Sequence, residues 1–325
     1  MERRVRFFGR NQPSFPQMRK NLLDLAVDFG WLAEKTARYS AMTAYQHVGV
    51  ASDFSPTFTA VLAEAKRFSS HCGADLEIVH AGAFDSEKEK RFLETLGQPT
   101  QIRWVQGETI ARAIIAAAEN FAYELLIAGT LHRETDDKPF AGDVARELLR
   151  SAPCDLLLVP RPLDEPTLPQ HIVFALEPEP EEENCELLRQ AVKVLRPGRV
   201  TILVTDRPFA PAIAASRGEE PRDLEARLED LADSLAEHKV EVEGRVVTCI
   251  TGYTLCDTIE ELQVDLLVVK AEPDGSLPIH MDWLYQVIPT RLLRVRERRK
   301  QTADEYFAGP PKRVFQPVMT AVGTS

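Results

Sequence analysis

Short apolar runs, five in each half of the chain, alternate with longer stretches whose apolar residues return every third or fourth position. In the first half the runs cover 47–51, 76–81, 101–105, 124–129 and 156–159, with helical stretches at 57–71, 86–96, 109–121 and 142–151. Each run is rich in Val, Ile and Leu, as strands covered on both faces must be. Strand and helix in alternation imply right-handed crossovers, hence a parallel sheet with helices on both sides. The sequence predicts an α/β chain.

The second half repeats the pattern, with strands at 171–176, 200–205, 240–247, 265–270 and 291–295 and helices at 184–195, 223–238, 254–262 and 281–288. Individual residues recur at matching points. The run from His47 to Asp53 parallels that from His171 to Glu177, and Gly107-Glu108-Thr109-Ile110 parallels Gly252-Tyr253-Thr254-Leu255. Glu124-Leu125-Leu126-Ile127 parallels Asp265-Leu266-Leu267-Val268, and Pro153 to Val159 parallels Pro289 to Val295. The matches come in one order, the mark of an internal duplication. This reading divides the chain into a helical extension (1–44), a first domain (45–163), a diverged second domain (170–298) and a flexible tail (299–325). Pro160, Pro162, Pro166 and Pro169 break regular structure at the junction. In the extension, Met18, Leu22, Leu25, Phe29 and Leu32 form one stripe. It reads as a helix packed on the first domain, with a partner-docking or membrane-surface helix as the alternative.

A net charge of −11 argues against nucleic acid as a partner, because phosphate contacts need a positive field. No apolar run reaches the ~20 residues of a bilayer span, so no membrane insertion is expected. Arg3 and Arg4 have the pairing of an export signal but lack the apolar stretch that should follow. The five cysteines include no CxxC pair, and the histidines have no zinc-ligand spacing, so neither a disulfide framework nor a metal site is expected. A reducing cytoplasm fits best.

Several of these segments resemble one family. The stretch Val50-Ala51-Ser52-Asp53-Phe54-Ser55, the five parallel strands and the Ser151-Ala152-Pro153-Cys154 entry to the last strand are similar to universal stress proteins. So is Gly129-Thr130-Leu131-His132, followed after nine residues by Gly142-Asp143, where ATP-binding members carry Gly-x-x-Gly, nine residues and Gly-Ser/Thr. The resemblance covers nearly all of 45–162; over 170–298 it rests on the repeat. It implies two tandem flavodoxin-like (HUP-type) domains, each a five-stranded parallel sheet of order 3-2-1-4-5 with helices on both faces. It also implies a role in stress adaptation through binding rather than catalysis. Single-domain members dimerise, and here the halves would supply that pairing within one chain, a further homodimer remaining open.

The candidate site that follows is Ser52, Asp53, Gly129, Thr130, His132, Gly142 and Asp143, with ATP as the ligand the family implies. Ligands of open α/β sheets lie beyond the carboxyl edge where strand order reverses. Glycines there admit phosphate to backbone N–H groups and to a helix N-terminus. Two residues depart from that pattern. His132 adds bulk in place of the second glycine. Asp143, acceptor-only when ionised, replaces a hydroxyl donor and reads as a helix cap; Arg133 and Lys138 lie in the same loop and could offset its charge. In the second half Lys270 stands at the Gly129 position and Pro278, which has no N–H, at the Gly142 position. Glu177 takes the Asp53 position and opens an acidic run to Glu183.

Other constellations carry less. His47 and His171 recur at strand starts and read as a shared strand-edge contact, and His80 as a satisfied strand-end histidine. Cys249 and Cys256 read as buried inert thiols. Arg291, Arg294, Arg296, Arg298, Arg299 and Lys300 read as a basic stripe facing the acidic remainder of the molecule. The sequence favours a non-enzymatic regulatory pseudo-dimer with a degenerate nucleotide site. An ATP sensor in the first domain is the alternative, and a weak ATPase a third reading. Protein partners are not legible.

Overall fold

The computed structural model describes residues 3–6, 45–55, 57–96, 101–130, 141–163, 165, 167–176, 182–206, 223–248 and 252–296. After a short strand β1 (Arg3–Arg6), the first half runs β2 (His47–Ser52), α1 (Phe58–Cys72), β3 (Asp75–Ala81), α2 (Ser86–Leu96), β4 (Ile102–Val105), α3 (Ile110–Asn120), β5 (Leu125–Gly129), α4 (Asp143–Ser151) and β6 (Asp155–Val159). The second runs β7 (His171–Leu176), α5 (Glu182–Leu195), β8 (Arg199–Asp206), α6 (Leu224–Asp233), β9 (Glu241–Thr248), α7 (Gly252–Glu261), β10 (Leu266–Lys270) and β11 (Arg291–Val295). All the strands form one sheet of order β1-β9-β8-β7-β10-β11-β6-β5-β2-β3-β4. Within each half that is 3-2-1-4-5, as the resemblance implies, and every pairing inside a half is parallel.

Local chemistry sets the element ends. The Thr109 hydroxyl accepts the Arg112 N–H at 3.1 Å and so starts α3, and the Asp223 carboxylate does the same for Glu225 and Ala226 at α6. Gly73, at φ 69°, ends α1 in the left-handed conformation that glycine adopts without cost. The duplication persists at the level of single bonds. Glu124 accepts the backbone N–H groups of Gln46 and His47, at 2.5 and 3.3 Å. Its counterpart Asp265 accepts those of Gln170 and His171, both at 2.8 Å. The shared contact at the two histidines is therefore made by backbone. The His47 side chain is exposed, whereas His171 bonds the Thr201 hydroxyl at 2.8 Å.

The halves meet at their last strands. β6 and β11 pair antiparallel, with Leu157 directly opposite Leu293. Those two residues hold equivalent positions in the repeat, so a pseudo-twofold axis passes between them. The sheet continues unbroken, and an apolar layer runs across both halves on each of its faces. The carboxyl edges of the two halves consequently point to opposite ends of the molecule.

Charge closes the seam. Arg294, fully buried, donates to the carbonyls of Gly275, Ala152 and Cys154 at 2.7, 2.9 and 2.6 Å. Asp155 accepts from the Tyr45 hydroxyl at 2.9 Å and from the Arg296 N–H at 2.7 Å. Arg291 reaches Glu64 of α1 at 3.2 Å. Arg291 and Arg294 are thus buried pins rather than part of a surface stripe. Arg298, Arg299 and Lys300 lie outside the described residues.

Three other expectations change. The 281–288 helix is a 3₁₀ segment, Ile279–Tyr285. Its bonds reach three residues back, from Met281 N–H to the Pro278 carbonyl at 2.7 Å and from Gln286 N–H to the Trp283 carbonyl at 2.9 Å, and Pro289 disfavours the α state at Ile288. The 223–238 helix breaks after Asp233, where the Ser234 hydroxyl turns back to the Leu231 carbonyl at 2.6 Å, and a 3₁₀ turn, Ala236–His238, follows. The extension taken as helical begins with β1, which adds antiparallel to the outer edge of β9. The stripe from Met18 to Leu32 and the tail lie outside the described residues.

One tight contact gives a test of the packing. A Cβ on Gly49, in β2, would sit 2.7 Å from the Tyr123 ring, and that ring is held by its hydroxyl on Glu77 at 2.8 Å. Gly49→Ala should therefore destabilise by about 1–3 kcal/mol, read from the denaturant midpoint, despite the better strand propensity of alanine.

Candidate functional site

The crevice of the first half opens between β2 and β5, the neighbours at which strand order reverses. Ser52 and Asp53 come to it from the end of β2, Gly129 and Thr130 from the end of β5, and Gly142 and Asp143 from the start of α4. His132, Arg133 and Lys138 lie outside the described residues. Gly129 is exposed, and a Cβ there would come 3.1 Å from Val61 of α1. The Thr130 hydroxyl is buried and has no hydrogen-bond partner among the described residues. Gly142 is the N-cap of α4, with no side chain to satisfy the first N–H groups. Asp143 does not cap the helix. Its carboxylate, almost wholly exposed, turns to Arg146 at 2.8 Å, since an i,i+3 arginine is within reach where the Gly142 cap position offers no side chain.

The β2–β3 side of the crevice is filled. Phe54 lies at φ 56°, a backbone state costing a non-glycine residue about 1–3 kcal/mol. That strain folds the ring back onto His80, with centroids 4.0 Å apart and nearly parallel. Phe92 and Trp104 complete the box at 4.4 and 5.5 Å, and Phe84 packs edge-on to Trp104. His80 is buried and donates its Nδ1–H to the Ser52 carbonyl at 2.8 Å. Its Nε2 faces the Lys88 ammonium at 3.4 Å. Burial, with Lys88 adding to it, holds the imidazole below the ordinary histidine range, and so it is neutral near pH 7. Asp53 spends one carboxylate oxygen on the Ser55 N–H at 2.8 Å, and Ser52 accepts the Phe54 N–H at 3.1 Å. The sequence pointed to Ser52 and Asp53, read His80 as a satisfied strand-end histidine, and did not single out Lys88, Phe92 or Trp104. Phe54 and Trp104 lie at or just beyond strand ends, Lys88 and Phe92 on α2, and only the register brings them together.

Among the described residues the second half shows no cradle of this kind. The segment between Lys270 and Pro278 closes on itself, with Glu272 N–H to Ser276 O at 2.9 Å, Gly275 N–H to Glu272 O at 2.8 Å and Asp274 bonded to Ser276. Pro278 leads into the 3₁₀ segment, whose Met281, Trp283 and Leu284 are buried. Arg294 holds the Gly275 carbonyl from below. Glu177 lies outside the described residues.

Other reactive groups are muted. Burial pushes the Cys72 thiol up to about 11, far from the thiolate a nucleophile needs. Cys256 is buried, whereas Cys249 lies outside the described residues. Among the described residues no group of three metal-ligating side chains forms, and no helix is long and apolar enough to cross a membrane.

The fold is that of a doubly wound α/β protein with two copies of a 3-2-1-4-5 unit. Residues 82–160 match the model of the universal stress protein family, and the chain carries a universal stress protein domain there. Among solved structures, it is similar to a functionally unknown protein of Pseudomonas aeruginosa PAO1, 13% identical with a TM-score of 0.56, covering 78% of this chain and 93% of that one. A putative universal stress protein of Pseudomonas aeruginosa UCBPP-PA14 has 14% identity and a TM-score of 0.56, with coverage of 78% and 94%. A universal stress protein of Archaeoglobus fulgidus DSM 4304 has 14% identity and a TM-score of 0.55, with coverage of 77% and 98%. At these identities the likeness is one of fold. No curated protein matches the chain.

Proposed function

We propose that the protein is a non-enzymatic stress-response regulator that works as an intramolecular pseudo-dimer with one degenerate and one vestigial nucleotide site. The observation that carries this reading is the second-half segment 270–278, where Lys270 and Pro278 stand at the Gly129 and Gly142 positions and Glu272, Gly275 and Ser276 bond one another. The pairing of Leu157 with Leu293 across the pseudo-twofold axis supports the pseudo-dimer. So does a likeness to solved chains that extends over more of this chain than either half contains. Family membership points to the stress response, and the N-terminal segment and the surfaces of the fused halves are where protein partners would dock.

A specific set of groups favours the adenine-nucleotide alternative in the first half: exposed Gly129, and the Thr130 hydroxyl and the start of α4, which have no side-chain partner among the described residues. Titration of the full chain with ATP by calorimetry and thermal shift separates the readings. A ligand at 100 times its Kd should stabilise the fold by about 2.7 kcal/mol. The vestigial second site predicts no more than one ATP per chain and no turnover. Two bound equivalents would overturn this reading, as would hydrolysis abolished by Gly129→Asp or Asp53→Ala.

A further inference from the structure

We propose that Phe54 is an acid-released latch: its ring closes the β2–β3 side of the first-half crevice, and protonation of His80 unseats it. The proposal rests on the reading of Ser52 and Asp53 as the border of a ligand crevice, and it adds a control over that border. Three features make the segment bistable. Phe54 is held in a left-handed backbone state that nothing in its own chemistry favours. Its ring is kept there by the box of His80, Phe92 and Trp104, with the Lys88 ammonium 5.0 Å from its centroid. The box is tied to the β2 end through the bond from His80 Nδ1 to the Ser52 carbonyl, one residue from Asp53.

Neutral His80 satisfies this arrangement on both nitrogens. Its Nδ1–H donates to Ser52, and its Nε2 lone pair accepts from Lys88. A second proton converts Nε2 into a donor pointing at an ammonium 3.4 Å away, with the ring almost wholly buried. The charged groups around it do not offset that. Asp53 favours the imidazolium but is outweighed by burial and by Lys88 of α2, which repels it, while Glu89 of α2 accepts from the Trp104 indole at 3.0 Å. Phe58 of α1, which packs on Phe92 at 5.5 Å, is apolar. The imidazolium must therefore turn to water, and the Phe54 stack goes with it. Because burial holds His80 below the ordinary histidine range, the closed state is complete above that range and is lost as pH falls beneath it.

Hydrogen exchange of the intact chain, corrected for intrinsic rates, reads the latch through the Phe54 and Ser55 amides. Between about pH 7.5 and 5 the wild type should lose protection at residues 50–55 by about tenfold or more, while β7 stays protected. His80→Gln, which can still donate to Ser52, should hold protection constant. Lys88→Gln, a change at an exposed side chain that removes the repulsion and offers the protonated Nε2 an acceptor, should shrink the loss of protection at about pH 5. Constant protection in the wild type, equal loss in His80→Gln, or an undiminished loss in Lys88→Gln would each overturn the latch. ATP calorimetry on the same proteins keeps the two ideas apart. Opening without ATP binding at either pH refutes the crevice reading and leaves the latch standing; binding without any opening does the reverse.

Discussion

Arg294→Ala is expected to cost about 3–5 kcal/mol, enough to leave a domain of ordinary stability marginal or unfolded. The guanidinium is fully buried in β11, and its cost of desolvation is met by three carbonyl groups, two of them in the other half. Truncation strips a donor from each of those carbonyls at once; Ala152 keeps its bond from Arg296 at 3.1 Å, but a buried acceptor that is left unpaired costs about 1–3 kcal/mol. It also removes a cation that faces Asp155, the carboxylate that accepts from the Tyr45 hydroxyl and the Arg296 N–H. Arg294→Lys should recover less than half of the loss, because an ammonium on a flexible stem cannot replace the planar fork that spans the seam. Urea denaturation monitored by far-UV circular dichroism measures both variants. A loss below about 1 kcal/mol for the alanine variant would mean that the halves are held by their apolar layers and that the arginine is incidental.

The fold was legible because its cause is local. Alternating runs and helical stretches define a doubly wound sheet wherever they occur, and the strand order followed from the resemblance. The duplication was legible too, and Glu124 and Asp265 show why: the same carboxylate position is needed twice to start the same pair of strands. What stayed hidden depends on register. Arg291 and Arg294 look like any basic strand end until β6 is placed beside β11. Phe54, His80 and Trp104 are separated by long stretches of sequence, and only the parallel register, with Ser52 beside His80 and His80 beside Trp104, gathers them at one strand edge. The 3₁₀ segment stayed hidden because apolar residues at helical spacing do not distinguish α turns from the i→i+3 bonds that form here, such as Met281 N–H to the Pro278 carbonyl.

The second large effect concerns Glu64 and Arg291, and it tests whether the seam is specific as well as stable. Their carboxylate and guanidinium lie 3.2 Å apart with side-chain exposures of only 5% and 10%. Arg291 also donates to the carbonyls of Asp265 and Thr167, and Glu64 accepts the Leu163 N–H. Glu64→Leu alone should cost about 3–4 kcal/mol, because it strands a buried cation. The adjoining cavity, about 20 Å³ and bordered by Phe68, Leu157 and Leu168, has room for one water and should keep the loss toward the lower end. Pairing that change with Arg291→Leu removes the stranded charge, and the double variant should recover at least about 2 kcal/mol of the loss, a coupling well outside additivity. Arg291 stands where the first half has Asp155, so the charge is of opposite sign at equivalent positions beside the axis. A half paired with a second copy of itself would lose that complement, and the cycle therefore measures what the two sequences gained by diverging. Additive single-variant losses would mean that the pair fills space at the seam without selecting the partner across it.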